Sequence, residues 1–426
     1  MSPSAGLRRV VGIPGAIAMG LGSIVGTGIF VSIGLAAEIA GAAVLLAVVL
    51  AACIAAANGL SSAQLAAAHP VSGGTYEYGH RYLSPAWGFT AGWMFLCAKS
   101  ASAAAAALAL AAHVLQRLGH DGALPRSGLA LGVVALLTFA VAGGMRRSSR
   151  INAVIVGTTV LALGALVATG TPVALARGVH PGVLDDLRAG SAASLLHATA
   201  LMFVAYTGYG RIATLGEEIR EPARDIPRAI LATLGLSALL YTAVTWVAIA
   251  TLGAPGLAAH TRDTAAPLEA VAAAIAPAWL PTVVAVGAVA AMAGVVLNLL
   301  LGVSRVVLAM ARRGDLPTGL AAVEGVHASP VRAVLATGSA IAVLVAVGDL
   351  HAAWSFSAFT VLVYYGITNL AALRLPAHER RFPRAIAVFG LLACIGVAVF
   401  IPWHTWLVGV ALLGLGALGR RLARRT

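Results

Sequence analysis

The chain has 426 residues, of which 60% are hydrophobic and only 10% charged, with a formal net charge of +13 and a mean hydropathy of +0.93. A soluble globular protein of that composition would lack the polar surface it needs, so the chain reads as an all-α polytopic membrane protein. The positive balance calls for no nucleic acid, because loop placement and attraction to anionic headgroups of a lipid bilayer account for it.

A helix crosses the hydrocarbon core with roughly 20 apolar residues, and stretches free of Asp, Glu, Lys and Arg recur along the chain. They predict twelve spans, at 13–36, 42–66, 88–114, 128–144, 151–171, 194–215, 228–252, 281–310, 332–347, 351–372, 385–401 and 403–419. Pro402, Trp403 and His404 form an interfacial turn that divides the last two. Arg8 and Arg9 ahead of the first span imitate a secretory signal, but the apolar run is too long and no cleavage site followed by a polar domain appears. Cys53, Cys97 and Cys394 fall inside spans at spacings that suit neither a metal site nor a disulfide framework. They read as small core residues, and no metal site is expected.

Basic residues set the orientation, since positively charged loops stay cytoplasmic. With the N-terminus inside, the cytoplasmic segments hold 20 of the 28 Lys and Arg, the outer loops hold five, and Lys99, Arg211 and Arg305 remain within spans. Both termini are therefore expected in the cytoplasm.

The first span contains GLGSIVGTGIF at 20–30. Two readings are open. Gly22 and Gly26 have the spacing that lets two helices approach closely; alternatively the helix unwinds over Gly22–Gly26, which at membrane depth is tolerated only where protein or water satisfies the freed backbone groups. The sixth span repeats the feature in FVAYTGYGRIATLGEE at 203–218, with Gly208 and Gly210 near its middle. A break in the first helix of each of two five-helix sets is the pattern of an inverted-repeat transporter, whose substrate lies where the broken helices face each other. Unpaired N–H groups around Gly26, Thr27 and Gly28 would favour a carboxylate. Unpaired carbonyls near Ala18, Met19 and Gly20, and near Phe203, Val204 and Ala205, would suit an ammonium group. Together they describe an α-amino acid. The candidate substrate residues are Ala18, Met19, Gly22, Ser23, Gly26, Thr27, Gly28, Phe203, Val204, Tyr206, Gly208 and Tyr209, with Tyr206, Tyr209 and Phe356 either lining a side-chain pocket or simply packing.

Four short stretches in order, GSIVGTGIF at 22–30, HPVSGGTYEY at 69–78, GEEIREPARDIPRAI at 216–230 and SRVVLAMARRGDLP at 304–317, make the chain similar to bacterial members of the amino acid-polyamine-organocation transporter superfamily. The resemblance implies a five-plus-five inverted-repeat (LeuT-like) core with broken first and sixth helices and two further C-terminal helices. Its parts would be a first repeat over 11–171, an inverted second repeat over 191–374, and the added helices with a basic tail over 383–426. It also implies that Glu217 or Glu218 latches an inner gate against Arg220, Arg224 or Arg228, where the bland alternative is a solvated loop.

Lys99, the one lysine among 28 basic residues, sits mid-span with no acid within a helical turn. It reads as a proton carrier, or as a lysine that snorkels or is fixed on helix carbonyls. Proton-coupled relatives often carry a lysine on the fifth span, where this chain has Thr158 and Thr159. Either the cationic role has moved to Lys99, or the two hydroxyls, with Thr27 and Ser304, help coordinate sodium. Arg211 follows the second break, again without a local acid; it reads an anionic group of the substrate or closes the gate against Glu217 or Glu218. The cationic-amino-acid branch commonly has an acid near Gly210, and this chain has none.

The expected function is a secondary active transporter that imports an amino acid across the bacterial inner (plasma) membrane by alternating access, with coupling to protons placed ahead of sodium. It would need no cofactor and work as a monomer or homodimer. An amino acid or amine exchanger and a sodium symporter are the alternatives. An enzyme would need a cluster of acids, histidines or a nucleophile with its base at membrane depth, a channel would show polar rings, and no P-loop links the chain to ATP.

Overall fold

The structure is a computed structural model that describes residues 9–119, 123–143, 145–178, 191–264, 266–275, 277–323, 329–347 and 350–423. Arg8, Arg188, Arg424 and Arg425, which enter the charge bias, lie outside them.

The described residues are helical almost throughout. In order they form α1 (Ile13–Ile24), α2 (Thr27–Phe30), α3 (Ser32–Ala40), α4 (Val44–Ala68), α5 (Thr75–Tyr82), α6 (Pro85–Arg117), α7 (Ala123–Ala142), α8 (Met145–Arg177), α9 (Ala192–Tyr206), α10 (Gly210–Ala213), α11 (Pro222–Thr264), α12 (Pro267–Ile275), α13 (Leu280–Arg312), α14 (Val331–Val347), α15 (Leu350–Leu373), α16 (Arg384–Ala398) and α17 (Trp403–Ala423). Among them, eight helical runs are long and apolar enough to cross a membrane, and α16 with α17, bent by 115°, makes a ninth when the pair is taken together. Fewer runs qualify than the twelve expected from charge-free stretches, for local reasons. Helix α9 stops after 15 residues, α14 has 17, and α16 and α17 qualify only as a bent pair.

Helix ends follow local chemistry. Ser84 caps α6 by accepting from the Trp87 N–H, and Pro85 fills the first turn, where no N–H is needed. Gly74, at φ +58°, makes the turn into α5 that a side chain would strain. Gly253, at φ +68°, kinks α11.

Long α6 lies at the centre, buried along most of its length, with an alanine stripe from Ala103 to Ala107 that lets α13, α14 and α15 come close. Outward sides of α7, α8 and α16 present Leu136, Phe139, Leu161 and Leu392, as a chain dissolved in lipid rather than water does.

Contacts sort the ends of the helices into two faces. One carries the first and last described residues, and is called the chain-end face: Val10 and Val11 donate to the Glu218 carbonyl, Arg220 donates back to Val11, and a parallel bridge joins Val11 to Ile219. On the same face Arg313 grips Glu77, and Arg420 from α17 reaches Asp315 at 2.8 Å. The opposite face is closed by Arg262 on Glu38 at 2.9 Å and by Arg117 on Glu269.

Candidate functional site

The first broken segment is tighter than the glycine run implies. Helix α1 continues through Gly20 and Gly22 to Ile24, Val25 and Gly26 are extended, and α2 begins at Thr27. Gly22 is a packing glycine: a Cβ there would meet the amides of Asn152 and Asn298. Gly26 is where the chain breaks, and a Cβ would strike the Val295 side chain and the Ala291 carbonyl. Each of the two readings thus describes a different glycine. Among the described residues, the N–H groups of Gly26, Thr27 and Gly28 have no acceptor, and the Gly22 and Ser23 carbonyls have no donor.

The sixth segment tightens rather than opens. Helix α9 passes at Thr207–Tyr209 into one 3-10 turn and then into α10. The two segments touch at this point. A Cβ on Gly208 would meet the Ser23 carbonyl carbon and oxygen and the Ile24 nitrogen, while one on Gly28 would meet Ala205. The Tyr241 hydroxyl bridges the paired ends, 2.6 Å from the Ile24 carbonyl and 3.3 Å from that of Ala205.

Between them lies a cavity lined by Ser23, Ile24, Thr27 and Gly28 from the first segment and Val204, Ala205 and Thr207 from the sixth. Lys99 and Ser102 from α6, Val295 and Leu299 from α13 and Trp354 from α15 complete it. The cavity measures about 20 Å³, room for about one water. Of the expected substrate residues, Ser23, Thr27, Gly28 and Val204 line the cavity. Ala18, Met19, Gly22, Gly26, Phe203, Tyr206, Gly208 and Tyr209 stand behind it. Tyr206 packs on Tyr241 and Tyr209 on Tyr365, with ring centroids 4.9 and 5.3 Å apart. The carbonyls expected to hold an ammonium are mostly taken: Ala18 accepts from Asn152, Met19 from Ser23, Val204 from Thr207 and Ala205 from Tyr241. The carbonyls without a donor are instead those of Gly22 and Ser23, which were not among the ones expected.

Lys99 is 3% exposed and has no acidic partner among the described residues. Its Nζ lies 2.6 Å from the Thr207 hydroxyl and 3.4 Å from the Thr207 carbonyl. That hydroxyl donates to Val204 at 2.7 Å, so it accepts from Lys99. Tyr365 also donates to the Thr207 carbonyl, at 3.1 Å. The 3-10 turn is thereby held from α6 and α15 together.

Thr158 and Thr159 do not hydrogen-bond to the first segment; Thr159 donates to the Ile155 carbonyl and approaches that of Gly287. Asn152, earlier on α8, makes the contact instead. Its amide donates to the Ala18 carbonyl at 3.0 Å and its oxygen accepts from Asn298 of α13.

The gating candidates cluster toward the face that carries the chain ends. Glu217 pairs with Arg312 at 3.3 Å and accepts from the Ser72 N–H, while Glu218 pairs with Arg305 at 2.7 Å. Both arginines come from α13, in place of Arg220, Arg224 or Arg228; Arg224 pairs with Glu221. Arg211 is buried in space left by Gly302 and donates to Thr214 at 3.3 Å, with its Nε and Nη2 unpartnered. On the same face, Asp315 accepts from Tyr76 at 2.9 Å, from Arg420 at 2.8 Å and lies 3.2 Å from His80. Burial alone would raise its carboxyl, but hydrogen bonds to His80, Arg420 and Tyr76 outweigh that and hold it well below the usual carboxylate range.

Among the described residues no three of His, Cys, Asp and Glu come together as metal ligands. The family model for amino acid permeases matches residues 15–418. An uncharacterized transporter of Mycobacterium tuberculosis is 42% identical over 96% of this chain and 90% of its own length. The branched-chain amino acid permease BcaP of Bacillus subtilis is 26% identical over 92% of this chain and 86% of its own. Asc-type amino acid transporter 1 of Homo sapiens is 27% identical over 94% and 77%. The helical runs, the relatives and the family match make this chain a multi-pass membrane transporter and not an enzyme: it belongs to the amino acid permease family of the amino acid-polyamine-organocation superfamily.

Proposed function

We propose that the chain imports an amino acid across the bacterial plasma membrane by alternating access and that a proton gradient drives it through Lys99. The named substrates of BcaP and the Asc-type transporter support the substrate class. In this reading the chain crosses the membrane twelve times, ten helices forming two inverted five-helix repeats, and the face bearing both chain ends is cytoplasmic. The carboxylate of the substrate takes the unpaired N–H groups at Gly26–Gly28, and its ammonium takes the Gly22 and Ser23 carbonyls. Glu217 and Glu218, held by Arg312 and Arg305, close the cytoplasmic side and release on opening.

One observation carries the coupling. Lys99 is a buried lysine with no acidic partner among the described residues, bonded to the 3-10 turn of the sixth segment and facing the same cavity as the unpaired donors of the first. Losing or gaining its proton changes its bond to Thr207, and so the turn that must move.

Purified protein in proteoliposomes, offered a panel of labelled amino acids, tests this. An outside-acid pH gradient is expected to drive accumulation above equilibrium, a sodium gradient is not, and Lys99→Ala removes the pH-driven part. Full pH-driven accumulation by Lys99→Ala overturns the coupling. No movement of any amino acid overturns the function.

A further inference from the structure

We infer that the side-chain subsite of this cavity takes an acidic amino acid, one whose side chain ends in a carboxylate; the inference rests on the amino-acid transport reading above. The side chains and backbone groups around the cavity supply hydrogen-bond donors and no negative charge. No Asp or Glu lines it. Lys99 has three N–H donors and spends its contacts on a single residue, Thr207. Trp354, 4% exposed and on the cavity wall, has an indole N–H with no acceptor. The Thr27 hydroxyl, 1% exposed, is also unpartnered. Buried donors are almost always satisfied in a folded protein, so a ligand rich in acceptors fits this wall.

Charge points the same way. Toward the chain-end face the buried charged side chains are Lys99, Arg211, Arg305, Glu77, Glu218, Asp225 and Asp315; Glu77 is held by Arg313 and Asp315 by Arg420, and the group nearest the cavity is Lys99, Arg211, Arg305 and Glu218. Glu218 bonds Arg305 and acts on the nearby Arg211, one carboxylate for two guanidiniums, and Lys99 has no acid beside it, so among the described residues this group carries an excess of two positive charges. A zwitterionic amino acid with an apolar side chain brings no net charge to offset them, and a lysine or arginine substrate adds a third cation. An acidic amino acid brings one net negative charge. Its side-chain carboxylate accepts from Lys99 and the Trp354 indole, and Arg211, four residues beyond Thr207, continues the positive lining along the route to the chain-end face.

Competition and uptake in proteoliposomes containing the full chain test the inference. L-aspartate, L-glutamate, L-asparagine, L-glutamine, L-leucine and L-lysine are each offered labelled for uptake, and the last four also unlabelled as competitors of labelled L-aspartate. The acidic pair is expected to be taken up at least 10-fold better than its amides, with leucine and lysine competing weakly. Trp354→Phe, which keeps the ring and deletes the donor, is expected to raise the half-saturating aspartate concentration several-fold. Lys99→Met is expected to abolish aspartate uptake. Asparagine, leucine or lysine carried as well as aspartate overturns the inference and leaves amino-acid transport standing. If no amino acid is carried at all, the transport reading falls first and the inference with it.

Discussion

Glu218 accepts from Arg305 at 2.7 Å, and the two side chains are only 4% and 3% exposed. With a second guanidinium, Arg211, buried nearby and its Nε and Nη2 unpaired, this pair is the point where the structure is least tolerant of losing a negative charge. Glu218→Gln leaves two buried arginines uncompensated and is expected to destabilise the protein by about 3–5 kcal/mol, the usual cost of breaking a buried pair from one side. Pairing Glu218→Leu with Arg305→Met should recover part of that loss, and only part, because Arg211 keeps its charge. Unfolding midpoints of the singles and the double in detergent check this; losses that simply add would show that the two residues do not act as a pair.

Contact between the broken segments gives a second expectation. A Cβ on Gly208 lands on the backbone of Ser23 and Ile24, which cannot rotate away as a side chain can. Gly208→Ala is expected to reduce amino-acid uptake by at least roughly 10-fold. Gly132→Ala, on α7 where a Cβ meets nothing, should transport normally. Equal transport by the two variants would mean that the segments need not touch.

Asp315 supplies a pH dependence whose sign is fixed. Its folded pKa is held below the unfolded value of about 3.9 by its hydrogen-bond donors. The stability it contributes is therefore complete above about pH 4 and is lost as pH falls through the folded value. Asp315→Asn should lower the unfolding midpoint at neutral pH, and its gap to the unaltered protein should narrow on acidification below about pH 4. A gap that widens there would contradict the assignment.

Asn152 ties α8 to the Ala18 carbonyl and to Asn298 behind Gly22. Asn152→Ala frees one buried carbonyl and one amide and should cost about 1–3 kcal/mol of stability. Accessibility of a cysteine placed at Ser23, measured with a thiol reagent after Cys53, Cys97 and Cys394 are replaced, should rise. Unchanged accessibility would show that the asparagine pair does not restrain the first segment.

These residues also mark how far the chain can be read without its fold. Lys99 stands out because a lysine in an apolar run has few bland explanations, and Gly26 because a dense glycine run weakens a helix. The faces were legible from arginine placement, since the pairs at Glu77, Glu217 and Asp315 gather segments that the charge bias puts together. Partners were another matter. Glu218 has Arg220, Arg224 and Arg228 close in sequence, yet the residue that reaches it is Arg305, 87 positions away, because α13 ends beside the turn after α10. Thr158 and Thr159 drew attention by type, but contact with the first segment depends on how α8 is rotated, and that rotation presents Asn152. Trp354 carries no local mark at all: only the packing of α15 against α6 puts its indole on the cavity wall.

The short bridge between Val11 and Ile219 has a mechanical consequence. Backbone bonds run both ways across it, from Val10 and Val11 to Glu218 and from Arg220 back to Val11. The start of the first discontinuous helix is thus zipped to the end of the second, although some two hundred residues separate them. The two form a single lever. A tilt of one is expected to drag the other, so that the two arms travel together rather than taking turns.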